Sequence, residues 1–272
     1  MPASALTVID DLGDVLRVDR PAQRVISLSP HLTELMYSIG AGDRLAGVVR
    51  GSDFPAEAAA LTQIGDASGL DFESLLHARP DLVLAWGGGN RSVDLARLRA
   101  LGLHVLVLEP KGPEDIARHL RLLGDVTGLI ERAHAVAREF ERRVRALRDR
   151  YTGSANVRVL FEIWHRPLFT VNGEHIISKM LRLCAARNVF EDLPRLAGEV
   201  SMEQVLILDP DAIVVGSEAE DAGVENWTQF SYLKAVRGGN VFTISADLIA
   251  RPTPRIVDAA ERVCAGLDKA RH

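Results

Sequence analysis

The sequence predicts an α/β protein of two similar lobes joined by one long helix, and three features predict it: a phrase written twice, an alternation of strand and helix signals, and one amphipathic run that breaks the alternation. The first copy of the phrase is Asp71-Phe72-Glu73-Ser74-Leu75-Leu76 followed by Arg79-Pro80-Asp81-Leu82-Val83-Leu84. It returns as Ser201-Met202-Glu203-Gln204-Val205-Leu206 followed by Asp209-Pro210-Asp211-Ala212-Ile213-Val214. In each copy a glutamate stands seven residues before the Pro-Asp pair, so the copies agree in register as well as composition.

The elements follow in order. Leu6–Ile9 and Val15–Val18 read as a strand pair around the turn Asp11-Leu12-Gly13-Asp14. Arg24–Leu28 is a buried strand leading through Ser29-Pro30 into a helix whose Leu32, Leu35, Met36 and Ile39 share one face, ended by Gly40 and Gly42. The spacing then predicts strands at Leu45–Val49, Leu82–Ala85 and Val105–Leu108 and helices at Phe72–Ala78 and Val93–Leu101. Continuous apolar strands between helices argue for a parallel sheet covered on both faces.

After a helix over Glu114–Thr127, the run Leu129–Tyr151 places Ile130, Ala133, Ala137, Phe140, Val144, Leu147 and Tyr151 at steps of three and four among Arg and Glu. At 1.5 Å per residue it would be roughly 34 Å long, the width of a small domain, and would act as a strut. The alternation resumes with strands at Val157–Ile163, Ala212–Val215 and Val241–Ile244, helices at Ile176–Leu183 and Gln204–Ile207, and a closing helix over Pro254–Lys269. Trp227, Phe230 and Leu233 suggest a short helix between Gly216 and Gly238. The expected organisation is an N-terminal lobe over residues 1–128, a connecting backbone helix over 129–152 and a C-terminal lobe over 153–272.

The length of 272 residues favours two domains, and 47% hydrophobic with 25% charged residues supplies two cores. A net charge of −5 with scattered Lys and Arg lacks the basic stripe that nucleic acid or an anionic membrane would need. No apolar run is long enough to span a bilayer, so no membrane insertion is expected. The opening Met-Pro-Ala-Ser-Ala-Leu-Thr lacks a basic n-region and an apolar h-region, which fits either a cytosolic protein or one whose leader has been removed or replaced. Cys184 and Cys264 stand 80 residues apart among apolar neighbours. They read either as two buried thiols or as a disulfide, which would imply an oxidising compartment.

Among candidate functional residues, Asp71 and Ser201 look like N-caps, Ser201-x-x-Gln204 forming a capping box, so Glu73 and Glu203 fall in first turns of helices. A carboxylate there complements the helix dipole. Two in matching places of two lobes also make a pair of anionic docking points. The run Trp86-Gly87-Gly88-Gly89-Asn90 follows a strand directly but matches no nucleotide-binding spacing. Trp86 stands either in the core or at the carboxyl edge where open α/β sheets take ligands. The matching place in the second lobe is Trp164-His165-Arg166-Pro167, and a third candidate is the loop from Asp247 through Arg255 leading to the last helix, where Pro254 suits a helix start. Trp164 and Arg251 could line a cleft, and Arg255 could be a surface or sheet-capping arginine.

Catalytic patterns are weaker. The eight histidines form no H-E-x-x-H pair and no serine sits in a G-x-S-x-G elbow. His119 and His134 lie on charged helices and are expected in solvent. His31 and Glu34, three residues apart on one helix, read as a polar surface pair in preference to a metal site. An α/β enzyme remains the reading from another class, opposed by the lack of a nucleophile and base or a nucleotide loop.

Taken together, several stretches give the chain a resemblance to the class III periplasmic substrate-binding proteins of ABC importers, in particular the vitamin B12 (cobalamin) binders. They are Arg24-Val25-Ile26-Ser27-Leu28-Ser29-Pro30-His31-Leu32-Thr33-Glu34-Leu35, Ser52-Asp53-Phe54-Pro55, Phe72-Glu73 through Pro80-Asp81 to Trp86, Asn188-Val189-Phe190, and Pro254-Arg255-Ile256. The resemblance implies two Rossmann-like lobes with mostly parallel sheets on a rigid helix, a ligand cleft between them, a periplasmic location and a monomer without catalytic cofactor or metal. Because a long helix resists hinge closure, only small lobe movement on binding is expected. It implies that Glu73 and Glu203 meet arginines of the permease subunits, that Cys184 and Cys264 form a disulfide, and that Trp86, Gly87, Trp164, His165, Asp247 and Arg251 line a corrinoid site.

At two places the chain departs from the pattern. Arg50-Gly51 stand where the cobalamin binders carry an aromatic before Ser52-Asp53, and Ala67 replaces another aromatic. Each missing ring is worth about 1–3 kcal/mol of buried contact. Arg50 suits an anionic cargo, which makes a haem or ferric-siderophore carrier the alternative.

Overall fold

The computed structural model describes residues 6–66, 68–217 and 223–271. Contacts divide the chain into two units, one comprising residues up to Pro110 with Glu114–Glu139, the other Lys111–Pro113 with Phe140 onward. Each has the same plan.

The first unit opens with a hairpin of β1 (Leu6–Ile9) and β2 (Val15–Val18), followed by β3 (Val25–Ser27), α1 (Pro30–Ser38) and β4 (Leu45–Val48). A small hairpin of β5 (Gly65–Asp66) and β6 (Gly69–Leu70) precedes α2 (Phe72–His77), β7 (Leu82–Trp86), α3 (Ser92–Ala100) and β8 (Val105–Leu108). Then come α4 (Pro113–Thr127) and α5 (Ile130–Tyr151), whose residues are shared between the units. The main sheet is parallel throughout in the order β4-β3-β7-β8. Its alternate residues Ile26, Val83, Ala85, Val105 and Val107 pack against Leu75 of α2 and Leu95 and Leu98 of α3.

The second unit repeats this with β9 (Val157–Glu162), β10 (Phe169–Val171), α6 (Ile176–Leu183), β11 (Ala186–Asn188), β12 (Ala197–Glu199), α7 (Met202–Leu208) and β13 (Ala212–Ser217). It closes with α8 (Glu225–Thr228), α9 (Lys234–Arg237), β14 (Val241–Ser245), α10 (Ala246–Ala250) and α11 (Ile256–Leu267). Its parallel sheet runs β11-β9-β13-β14, the same order as the first with β9 in the place of β3. Leu160, Ile213 and Val215 pack against Val205 of α7 and Trp227 of α8. Leu75 and Val205, the equivalent core residues of the repeated phrase, are both fully buried.

Cys184, the C-cap of α6, and Cys264 within α11 form a disulfide, and neither sulfur's residue is exposed. The bond ties two helices that pack on the second sheet.

Several expectations change. The closing helix begins at Ile256, two residues after Pro254, and ends at Leu267 with a short 3-10 turn beyond. The segment expected to be a loop before it contains α10, capped by the Ser245 hydroxyl, which accepts the Leu248 N–H at 3.2 Å. Along α5 the predicted stripe is buried from Ala133 to Tyr151, but Ile130 is 49% exposed. His119 is fully buried, not in solvent, because it falls on the stripe of α4 that buries Ile116, Leu120 and Leu123. His31 and Glu34 are likewise buried, so they are not a surface pair, and among the described residues no group of three or more acidic, His or Cys side chains could hold a metal.

The buried His119 anchors the opening hairpin. Its Nε2 lies 2.7 Å from Asp11 Oδ2, while Arg118 donates to Asp11 Oδ1 at 2.6 Å. Burial alone would raise the Asp11 pKa, but these bonds and the Glu109 N–H hold its carboxyl well below the usual carboxylate range.

Candidate functional site

In the first unit the carboxyl ends of β3, β4 and β7 meet at one edge of the sheet. Trp86 is the last residue of β7, half-buried, and His31 at the start of α1 meets its ring edge-on at 5.4 Å. The Trp86 N–H donates to Asn90 Oδ1 at 2.7 Å, and Asn90 Nδ2 donates to the Leu28 carbonyl at 3.0 Å. Asn90 therefore clips the glycine loop back onto the end of β3. The glycines make room for protein, not phosphate. A Cβ at Gly89 would collide with the Trp86 ring, and one at Gly87 would stand 2.7 Å from Glu109 Oε2. The indole N–H of Trp86 is buried and has no hydrogen-bond partner among the described residues, so the edge carries an unanswered donor.

Beyond β4, the Arg50 side chain is 82% exposed and 3.9 Å from Asp66, too long and too open to neutralise it strongly. Gly51 turns the chain with φ +85°, a conformation that favours glycine. Hydrogen bonds from the Ser68 hydroxyl and N–H hold the Asp66 carboxyl below its ordinary pKa. Ala67 lies outside the described residues.

The corresponding edge of the second unit is built around a buried acid. Glu162 ends β9 and is 2% exposed. The indole N–H of Trp227, 65 residues away, donates to its Oε2 at 2.6 Å, and His165 Nδ1 stands 3.3 Å from Oε1. Burial raises the Glu162 pKa, and the neighbouring His165 imidazole and the Trp227 hydrogen bond oppose the rise. His165 also meets the Trp227 ring edge-on at 5.9 Å, so two groups fix its orientation.

Next to it, Trp164 is 64% exposed and donates its indole N–H to the Arg166 carbonyl at 2.8 Å. Bonds from the Ile163 N–H to the Phe169 carbonyl and from the Phe169 N–H to the Trp164 carbonyl make the tight hairpin that displays this ring. Asp247 and Arg251 lie one turn apart on α10 and its C-cap and pair at 2.6 Å. The second edge thus offers an exposed indole, a held imidazole and a paired guanidinium.

Glu73 and Glu203 are both exposed in first turns. Asp71 accepts the Ser74 N–H at 3.0 Å, and Ser201 and Gln204 complete a reciprocal capping box. The Glu203 backbone N–H and the Ser201 hydroxyl hold the Glu203 carboxyl below its ordinary pKa, so it is an anion at neutral pH.

Sequence reasoning missed Asn90, Glu162 and Trp227. Asn90 and Glu162 each had a signal: an amide after a glycine run, and a lone carboxylate closing the apolar strand Val157–Glu162. Trp227 had none, because its role depends on a partner in a distant element.

Comparison with known proteins places this architecture. Over 245 residues the chain is 35% identical to the vitamin B12-binding protein of Vibrio cholerae, covering 90% of this chain and 88% of that one. The crystal structure of the periplasmic vitamin B12 binding protein of the same organism superposes with a TM-score of 0.86 at 33% identity, covering 92% of this chain and 98% of that one. A periplasmic haem-binding protein from Pseudomonas aeruginosa shares the fold alone, with a TM-score of 0.77 at 24% identity over 90% of this chain and 92% of its own. The family model described as periplasmic binding protein matches residues 25–248, a span that begins at the first strand of the first sheet and ends in α10. Matched by the family model over most of its length and carrying two parallel sheets of the same strand order, the chain belongs to the periplasmic binding protein family.

Proposed function

We propose that this protein is an extracytoplasmic, non-enzymatic binding protein that captures a corrinoid, cobalamin, and delivers it to the permease subunits of an ABC importer. The observation that carries this reading is the likeness to the Vibrio cholerae vitamin B12-binding protein along 90% of the chain. The indoles of Trp86 and Trp164, at equivalent sheet edges, supply flat apolar surface for a large ring. His165, Asp247 and Arg251 supply hydrogen bonds for its polar periphery, and Gly51 and Gly87 keep the first edge low. Glu73 and Glu203 are the docking anions. The buried Cys184–Cys264 bond supports a periplasmic location, where disulfides persist.

Titration with cyanocobalamin, followed by tryptophan fluorescence, tests this. We expect a Kd below the millimolar range, weakened about 5- to 160-fold by W86A or W164A, the equivalent of the ~1–3 kcal/mol a buried ring contributes. The exposed Arg50 guanidinium favours a second reading, an anionic cargo such as haem or a ferric siderophore. Haem binding without cyanocobalamin binding would replace the first reading with the second.

A further inference from the structure

The repeated phrase contains a second device besides its caps. In the first unit Asp81 accepts the backbone N–H groups of Gln23 at 2.9 Å and Arg24 at 2.9 Å, and its own N–H returns a bond to the Arg24 carbonyl at 2.9 Å. The Arg24 guanidinium then reaches the far end of α2, donating Nε and Nη2 to the Ala78 carbonyl at 2.9 and 2.7 Å.

In the second unit Asp211 accepts the Arg158 N–H at 3.0 Å and returns its N–H to the Arg158 carbonyl at 2.8 Å. The Arg158 guanidinium donates to the Leu208 carbonyl at 2.5 Å and the Asp209 carbonyl at 3.3 Å, at the far end of α7. The residue that leaves the helix is left-handed and not glycine in both copies, Arg79 at φ 46° and Asp209 at φ 42°. Such a residue costs of order 1 kcal/mol and persists where its surroundings over-determine it.

The two clamps therefore share their parts: a Pro-Asp pair, an arginine at the start of a central strand (Arg24 just before β3, Arg158 in β9), a bonded helix C-terminus and a strained exit. Helices α2 and α7 have 6 and 7 residues, too short to hold a direction by their own hydrogen bonds. Each is anchored by one core residue, by its N-cap, and by the guanidinium at its last carbonyls, which otherwise have no intrahelical partners. The exposed glutamate lies on the segment these anchors define.

We propose that Arg24 and Arg158 are positioning residues for docking, each fixing the direction of one glutamate, Glu73 or Glu203, by tying its helix to the start of a central strand, β3 or β9, of its own sheet. This rests on the reading that both glutamates dock on a permease.

The test measures binding of the cyanocobalamin-loaded protein to the importer's permease–ATPase complex in nanodiscs, beside cyanocobalamin affinity. R24A is expected to weaken docking about tenfold, and R158A likewise, with cyanocobalamin affinity within twofold of wild type. In an E73A background R24A should add less than twofold, while in an E203A background it should keep its tenfold effect, and the mirror pattern should hold for R158A. A merely structural role would not produce this lobe-by-lobe pattern. R24K and R158K, which keep charge but lose the forked geometry, carry the same cycles if an alanine variant does not fold.

Undiminished docking by R24A, or an equal loss in the E73A and wild-type backgrounds, or a parallel loss of cyanocobalamin binding by the lysine variants, would overturn the proposal. If E73A weakens docking and R24A does not, only the positioning role fails. If neither E73A nor E203A changes docking, the docking reading fails and the positioning role falls with it.

Discussion

At the scale of single residues, two side chains sit where ordinary preference would not put them. Arg79 is exposed and left-handed at φ 46°, where glycine would carry no Cβ penalty. Arg79→Gly should leave stability unchanged or raise it by up to about 1 kcal/mol, against the greater entropy glycine gives the unfolded chain; urea unfolding reads the sum. His175 is the N-cap of α6, accepting the Ile177 N–H at Nδ1, and burial lowers its pKa to about 4. Unfolded, it would titrate near 6.5, so between these values the unfolded chain binds a proton that the folded chain refuses. Stability should therefore fall as pH drops from about 6.5 toward 4. His175→Asn, which supplies a capping oxygen in place of Nδ1 and removes the titration, should show a smaller shift of the urea midpoint between pH 7 and pH 5. Residues of this kind show where reading from sequence stopped: the cap pattern at Ser201 was visible in four consecutive letters, whereas a histidine cap and a Glu162–Trp227 bond across 65 residues depend on tertiary placement.

At the scale of elements, period decided what could be foreseen. The apolar strands and the helices of eight or more residues were placed to within one or two residues at most ends, because burial on one or both faces writes itself into spacing. The pairs β5–β6 and β10–β12 have strands of 2 and 3 residues and gave no periodic signal; β11, also of 3 residues, and α10, of 5, went unread for the same reason. His119 could have been read correctly, since it stands three residues from Ile116 and four from Leu123 on a stripe already apparent. The disulfide is the strongest single link between elements. In the chain-entropy account a bond closing 80 residues stabilises by about 4–5 kcal/mol, so replacing both cysteines by serine should lower the denaturant midpoint sharply without altering the sheet signature in circular dichroism.

At the scale of the whole molecule, one plan is used twice with different dressing. Both sheets have the same strand order, both carry a tryptophan at or just past the end of a central strand, and both carry an exposed glutamate on a short clamped helix. The two lobes, their repeat and their parallel sheets follow from alternation and from the doubled phrase. The carboxyl edges of the sheets were only partly foreseen, because the glycine run proved to house Trp86 and Glu109. In the proposed function the sheet edges take the ligand and the short clamped helices dock, separate parts of each unit, so capture and delivery should separate genetically. The double variant E73A/E203A should bind cyanocobalamin within twofold of wild type while uptake by the importer falls at least tenfold, measured with labelled cobalamin in reconstituted vesicles.

The placement of the Cys184–Cys264 bond also sets an order in time. Its second sulfur is in α11, the last α-helix, so a chain emerging from its N-terminus can complete the first sheet with no thiol chemistry at all. The second sheet stays chemically open until residue 264 arrives, which leaves an oxidant one partner to find and no wrong pairing to make.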